Sequence, residues 1–305
     1  MKIVHNISII ICTYNRQELL DHALDSIRQA THCDSIVEVL VINNNPSQPL
    51  VHWEKSYPYN IRYVNENSIG LSYARNKGAE IATGEWLLYL DDDGTIEPNT
   101  LIEAINTIEN YDFAMFTGIY KAWDYYGTPK WFPDEWANYQ LKGDLGVRTI
   151  DNDYVTGGIM AVKKDVLIEV GGFPTSLGMV GQAIAYGEEN YVERKIKLAG
   201  LLVGINTNMQ LNHVVGKHKH SLSWLLKAYY AKGKAIAVIN NKKPNSFHKI
   251  LFEMLVRFVK NSVRASVSLV RQPNYYYQNF ILDTIGPLLS YLGMLRHCLS
   301  KNSSR

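Results

Sequence analysis

Apolar positions along this chain follow two rhythms that alternate. Ile7–Cys12 is an apolar, β-branched run and reads as a strand buried on both faces. Gln17–Ala30 then places Leu19, Leu20, Ala23, Leu24 and Ile27 at helical spacing. Ile36–Ile42 is a second buried strand, ended by Asn43-Asn44-Asn45, and Ile61–Val64 is a short third. Leu71–Ala82 predicts a helix stopped by Gly84, Trp86–Leu90 a strand, Thr100–Glu109 a helix and Phe113–Tyr120 a strand. This order predicts an α/β fold with a mostly parallel central sheet covered by helices. Ligands bind such sheets outside the carboxyl ends of the strands. Three polar clusters fall there: Thr13–Arg16, Asn43–Asn45 and Asp91–Asp93.

The aspartate cluster carries the sharpest chemistry. Asp91, Asp92 and Asp93 directly follow an apolar strand, and Gly94-Thr95 and Pro98 end it. Like charges this close raise one another's pKa and repel unless a cation sits among them. A divalent metal that favours hard oxygen ligands is the usual partner, with a water-exposed acidic turn as the plain alternative.

The 305 residues allow one large α/β domain with an appendage, or two small domains. The net charge of +2 conceals an asymmetry. From His213 onward there are 15 Lys and Arg against Glu253 and Asp283, whereas residues 1–212 hold 16 against 27 acids. Two such parts face different surroundings. Cys12, Cys33 and Cys298 are odd in number and fit no metal motif, which reads as a reducing compartment without a disulfide framework. The opening apolar run is too short to span a membrane and no small-residue cleavage site follows, so no signal peptide is expected. No apolar stretch reaches 18 residues, so no transmembrane helix is expected either.

Several motifs in order resemble family 2 glycosyltransferases of the GT-A fold, over roughly residues 7–213. They are Ile9-Ile10-Ile11-Cys12-Thr13-Tyr14-Asn15-Arg16, Val41-Ile42-Asn43-Asn44-Asn45, Gly70–Gly78 with Arg75, and Leu90-Asp91-Asp92-Asp93, which is similar to the DxD motif. Tyr154–Gly158, Gly171-Gly172-Phe173, Gly187-Glu188-Glu189-Asn190, Arg194, Gly200 and His213 follow. The resemblance implies an inverting transfer of sugar from a nucleotide-diphosphate sugar, a UDP-sugar foremost, to a hydroxyl of a glycan or lipid-linked acceptor. It implies Mn2+ or Mg2+ on Asp91 and Asp93, with His213 as a further ligand or a structural histidine, and Asp92 on the ribose. Donor-nucleotide contacts are implied for Thr13, Tyr14, Asn15, Arg16, Asn43 and Arg75. Asn43 stands where the family usually has Asp; its amide oxygen can still accept an imide N–H. Arg75 is otherwise an ordinary helix-surface arginine. Glu189 falls at the general base, where Asp is commoner, with Glu188 beside it. The plain alternative for both is a pair of first-turn acids favoured by the helix dipole. Gly157, Gly158 and Trp131 are implied at the acceptor.

The same comparison divides the chain into a catalytic domain over 1–213 and a helical region over 214–305. Within the first, about 1–119 serves the nucleotide sugar and about 120–213 the acceptor. Tyr120–Ile150 is aromatic and aperiodic, and its rings either stack on sugar or pack a satellite core. In 246–271, Ile250, Met254, Leu255, Val259, Val263 and Val267 are read as one helix face with Lys249, Arg257, Lys260, Arg264 and Arg271 on or beside the other. A basic amphipathic helix fits an anionic membrane surface, and thus a cytoplasmic enzyme held peripherally on the inner face of the cell membrane. Packing on the catalytic domain or homo-oligomerisation are the alternatives. In Phe280–Leu299, Asp283, Gly286 and Pro287 interrupt the apolar pattern. No nucleic-acid motif accompanies the basic residues. A nucleotidyltransferase would want a Gly-rich loop after the first strand, where Thr13-Tyr14-Asn15-Arg16 stands, and a non-catalytic scaffold would not need Asp91, Asp93 and Glu189.

Overall fold

The computed structural model describes residues 6–31, 36–45, 47–50, 57, 59–241 and 247–300, without the side chains of Phe247 and Ser300. Cys33 and the opening five residues lie outside them. The described strands form a nine-stranded sheet of order β3-β2-β1-β4-β8-β6-β9-β5, with β7 paired to β9. The strands are β1 (Ile7–Thr13), β2 (Ile36–Asn43), β3 (Asn60–Asn65), β4 (Trp86–Asp91), β5 (Gly94–Ile96), β6 (Met115–Trp123), β7 (Val147–Thr149), β8 (Ile159–Lys163) and β9 (Val203–Val214). Strands β3, β2, β1 and β4 run parallel, as the strand–helix alternation predicts. Beyond β4 the sheet is mixed: β8 is antiparallel to β4 and β6, and β9 is parallel to β6. The architecture is α/β, with helices on the sheet and further helices at the C-terminal end.

Side-chain alternation along the central strands explains the layers. Ile9, Ile11, Val39, Val41, Leu88 and Leu90 point to one face, where they meet Leu20 and Leu24 of α1 (Gln17–Gln29) and Leu101 and Ala104 of α3 (Thr100–Asn110). Ile10, Leu40, Ile42, Leu87 and Tyr89 point to the other face. There they meet Ala74 of α2 (Leu71–Ile81), Leu167 of α4 (Lys164–Glu169) and Val192 of α5 (Glu188–Leu198). Both faces are therefore dry, and each fully buried Ile or Leu stabilises the fold by about 1.5–3 kcal/mol.

Register sets the site. Thr13 pairs with Asn43, Asn43 with Asn65, and Cys12 with Asp91, so the carboxyl ends of the four parallel strands finish in line. At the far side, β9 shifts register against β6 between Thr117 and Ile119. Gly118 permits this, because a Cβ there would overlap the Met209 carbonyl. Beyond the shift, His213 pairs with Ala122 on one side and Gly94 on the other.

One buried charge belongs to the frame. Glu38 of β2 accepts from Ser8 Oγ (2.9 Å), Thr83 N (2.6 Å), Thr83 Oγ1 (2.7 Å) and Arg62 Nη1 (2.9 Å). Burial pushes its carboxyl up, but the bonds from Thr83, Arg62 and Ser8 hold it below the ordinary range.

The chain divides into two compact units. The first comprises 1–123, 138–181 and 188–214; the second comprises 124–137, 182–187 and 215–305. The sequence boundary at 213/214 lies one residue from this division, but segments 124–137 and 182–187 go with the C-terminal helices. In the second unit, α6 (Leu222–Ile239) and α8 (Tyr277–Ser300) touch backbone to backbone. A Cβ at Gly233 would overlap the Ser290 carbonyl, and one at Gly293 the Tyr230 carbonyl. Lys232 of α6 lies 3.5 Å above the Trp136 ring. The third helix is α7 (Phe247–Arg271).

Two expectations for these helices change. Helix α8 continues through Gly286 and Pro287. Pro287 has no N–H for the Asp283 carbonyl, and Asn261 Nδ2 of α7 supplies one at 3.0 Å instead. The apolar residues of α7 do not share one face. Ile250 and Met254 turn inward, whereas Leu255, Val259, Val263 and Val267 are exposed. No described helix is long and apolar enough to cross a membrane.

Candidate active site at the strand ends

The first unit gathers its charged side chains at the flush strand ends. The turn after β1 bends through Asn15, which has φ 58° and is held by Asn45 Nδ2 at 2.7 Å. A short polar side chain tolerates that left-handed conformation. The turn delivers Arg16 to the aspartates: Nη1 lies 3.0 Å from Asp92 Oδ1 and 2.5 Å from Asp93 Oδ2. Asp93 Oδ1 faces His213 Nε2 at 3.2 Å. The Val214 amide donates to the Asp93 carbonyl at 2.8 Å, which ties β9 to the aspartate turn.

Asp91, Asp93 and His213 each offer one ligand atom, all within 4.8 Å of one another. Two carboxylates and an imidazole nitrogen this close fit a divalent cation of Mg2+ or Mn2+ type. Thr13 Oγ1 and Asp92 Oδ2 are buried beside them, and the Thr13 hydroxyl bears on the Asp92 carboxyl. Burial raises the Asp92 carboxyl, Arg16 lowers it and Asp93 raises it, leaving it at about 6.

Arg75 has partners other than those expected of it. Its guanidinium is buried, with Nη1 2.6 Å from Glu188 Oε1 and Nη2 3.0 Å from the Gly157 carbonyl and 3.5 Å from Asp91 Oδ1. It is a strut joining the aspartate turn, the 154–158 turn and the start of α5. Burial pushes the thiol of the partly buried Cys12 up to about 12 despite Arg75. Asn43 is also taken up by the protein. Its Oδ1 accepts from Asn45 N at 3.0 Å, and its Nδ2 donates to Gln48 O at 3.0 Å and Asn65 Oδ1 at 3.1 Å.

The two glutamates at the start of α5 differ. Glu188 is buried and tied to Arg75, with Oε2 unpartnered. Glu189 is half-buried. Burial raises its carboxyl well above the ordinary range and Glu188 raises it further, while Arg75 lowers it. A raised carboxyl is the stronger base once it has lost its proton. Glu189 also bears on the phenols of Tyr120 and Tyr154, which sequence reasoning did not single out. Asn65 was likewise missed. It is a fourth polar residue at a strand end, in register with Asn43, and that register was the signal for it.

The structure thus brings Thr13, Arg16, Asp91, Asp92, Asp93 and His213 together, and links them through Arg75 to Gly157 and Glu188. Gly158 lies against Asp91, whose N–H it accepts at 3.1 Å. Tyr14 packs by Gly181, where a Cβ would lie 3.4 Å from its hydroxyl. Trp131 belongs to the second unit, where its carbonyl accepts from Asn279 Nδ2 at 2.7 Å.

A sheet whose parallel strands end in paired aspartates, with a carboxylate pair opening a later helix, defines a GT-A type transferase. Residues 8–171 match Glycosyl transferase family 2, and the chain belongs to that family. Among its relatives is a Glucosyl-dolichyl phosphate glucuronosyltransferase of Haloferax volcanii, 27% identical over 79% of this chain and 79% of that protein. Another is the succinoglycan biosynthesis protein ExoM of Rhizobium meliloti, 25% identical over 75% of this chain and 73% of that protein. Among solved structures, a mannosyltransferase of Pyrobaculum calidifontis in complex with GDP-Man and Mn2+ shares the fold. Its TM-score is 0.59 at 18% identity, over 97% of this chain and 87% of that one.

Proposed function

We propose that this glycosyltransferase moves a sugar from a nucleotide-diphosphate sugar, a UDP-sugar foremost, to a hydroxyl of a glycan or lipid-linked acceptor, with inversion. The reaction is a single displacement. Glu189 takes the acceptor proton, the acceptor oxygen bonds to the anomeric carbon, and the bond from that carbon to the diphosphate breaks. Asp91, Asp93 and His213 would hold Mn2+ or Mg2+, which when bound neutralises charge on the leaving diphosphate. Asp92 is assigned to the ribose. Thr13, Tyr14, Asn15 and Arg16 line the nucleotide side. Asn43 and Arg75 shape it from behind, and Gly157, Gly158 and Trp131 serve the acceptor. Glu188 positions Glu189 through its ion pair with Arg75. The convergence of Asp91, Asp93 and His213 carries this reading.

The names of the relatives above support a lipid-linked acceptor and a role in surface polysaccharide assembly. That setting is the cytoplasmic face of the cell membrane, where the enzyme is peripheral. The direct test is hydrolysis of UDP- and GDP-sugars with Mn2+ by wild type, Asp93→Ala and Glu189→Gln. Both variants are expected to lose about 10²–10⁴-fold. Rates equal to wild type would overturn the assignment.

A further inference from the structure

Helix α7 buries a few apolar residues and turns a second set of them outward. Ile250 and Ala265 are buried, and Met254, Asn261 and Ser268 are partly so. On the opposite side Phe252 is 68% exposed, Val259 63%, Val263 61% and Val270 87%. Val256 and Val267 lie with them and are also exposed. At 3.6 residues per turn these six outward residues fall within a sector of about 80°, opposite the inward five. Single exposed apolar residues are ordinary, but a continuous stripe along about five turns marks a docking surface.

Charge identifies what the stripe meets. Lys249, Arg257, Lys260, Arg264 and Arg271 all fall along one border of it, with Glu253 the sole acid of the helix. The other border holds no Lys, Arg, Asp or Glu: Leu255, Phe258 and Leu269 are exposed there, beside His248, Ser262 and Ser266. From these observations we infer that α7 lies in the interface of an anionic phospholipid membrane, rolled so that its cationic border meets the lipid phosphates and its other border sits deeper. A helix with a strong apolar face and a cationic edge lies in the plane of the interface and does not cross it. A second copy of the chain fits less well. It would have to bring two borders of five cations together, each with one acid to offset them.

This inference rests on the proposed action at a membrane face and names the surface that makes the contact. Its test is co-sedimentation of the full chain with vesicles of phosphatidylcholine, with and without phosphatidylglycerol, at low and high salt. Sugar-nucleotide hydrolysis is measured on the same preparations. Wild type is expected on the anionic vesicles at low salt and released by high salt. Lys260→Gln/Arg264→Gln is expected to lower vesicle affinity about thirty-fold, at about 1 kcal/mol per cation. Val259→Asp/Val263→Asp is expected to lower it at least about a hundred-fold. Because these side chains face outward, both variants should hydrolyse donor and melt like wild type. Three results would each overturn the inference: no binding of wild type to anionic vesicles, equal binding by the two variants, or a dimer in light scattering that Val259→Asp/Val263→Asp converts to monomer. Hydrolysis without vesicle binding sinks the membrane surface alone, and vesicle binding without hydrolysis sinks the enzymatic reading alone.

Discussion

Glu188 and Glu189 are neighbours in the chain and opposites in their surroundings. Arg75 Nη1 lies 2.6 Å from Glu188 Oε1, so that side chain is fixed to the scaffold. Glu189 is raised by burial and by the charge of Glu188, so it binds a proton more tightly folded than unfolded. The stability this contributes is complete below the ordinary glutamate range and is lost as pH rises through the raised folded value. Gln mimics the protonated form. Glu189→Gln is therefore expected to melt with wild type near pH 4 and above it at pH 8, by differential scanning calorimetry. An equal displacement at both values, or a lower melting temperature at pH 8, contradicts the raised carboxyl. At this scale the sequence was legible where identity alone decides. Three carboxylates after an apolar strand need a cation whatever their rotamers. It was not legible where orientation decides. Where the amide of Asn43 points is set by Asn45 of the turn and Asn65 of the neighbouring strand, which its identity alone does not show. Arg75 lies on a helix over the sheet, and its commitment to Glu188, 113 residues on, is a tertiary fact.

The elements of residues 7–110 follow their hydrophobic period closely, because β1, β2 and β4 are buried on both faces and each helix on one, while β3 at the sheet edge is only partly buried. Those after residue 140 were harder to read, for identifiable reasons. Strand β9 carries Asn208, Met209, Gln210, Leu211 and Asn212, a polar–apolar alternation that marks a strand, yet Asn206 and Thr207 ahead of it are buried polar residues that blur the pattern. Helix α8 looked broken at Pro287 because the remedy, Asn261, lies on a different helix. The frame also contains a buried anion that the sequence shows only as a lone Glu in an apolar strand. Glu38 is held below the ordinary carboxylate range, so its stabilisation is present above the unfolded value and is lost as pH falls through the folded one. Glu38→Gln is expected to destabilise the protein by about 1–3 kcal/mol near pH 7, with the difference shrinking in acid. Urea unfolding at several pH values measures this. A constant difference down to pH 3 would mean that the lost term is packing rather than charge.

Across the whole molecule, charge is divided as the chemistry requires. Acids outnumber bases 27 to 16 in residues 1–212, which carry the aspartate turn and the glutamate pair, and bases outnumber acids 15 to 2 from His213 onward. Composition alone showed that asymmetry, but not that α7 presents its valines outward, since an amphipathic pattern states only that a helix has two faces. The central claim is that Asp91, Asp93 and His213 form one cation site serving a nucleotide diphosphate. Electron paramagnetic resonance of Mn2+ titrated into the protein with UDP or GDP present tests it most directly. Wild type should bind a single Mn2+ per chain. Asp93→Ala should weaken that binding at least about a hundred-fold, since losing even an outer partner of a metal ligand costs ten- to a hundred-fold. An Asp93→Ala titration that overlays wild type, or no nucleotide-dependent Mn2+ site in either, would contradict the account.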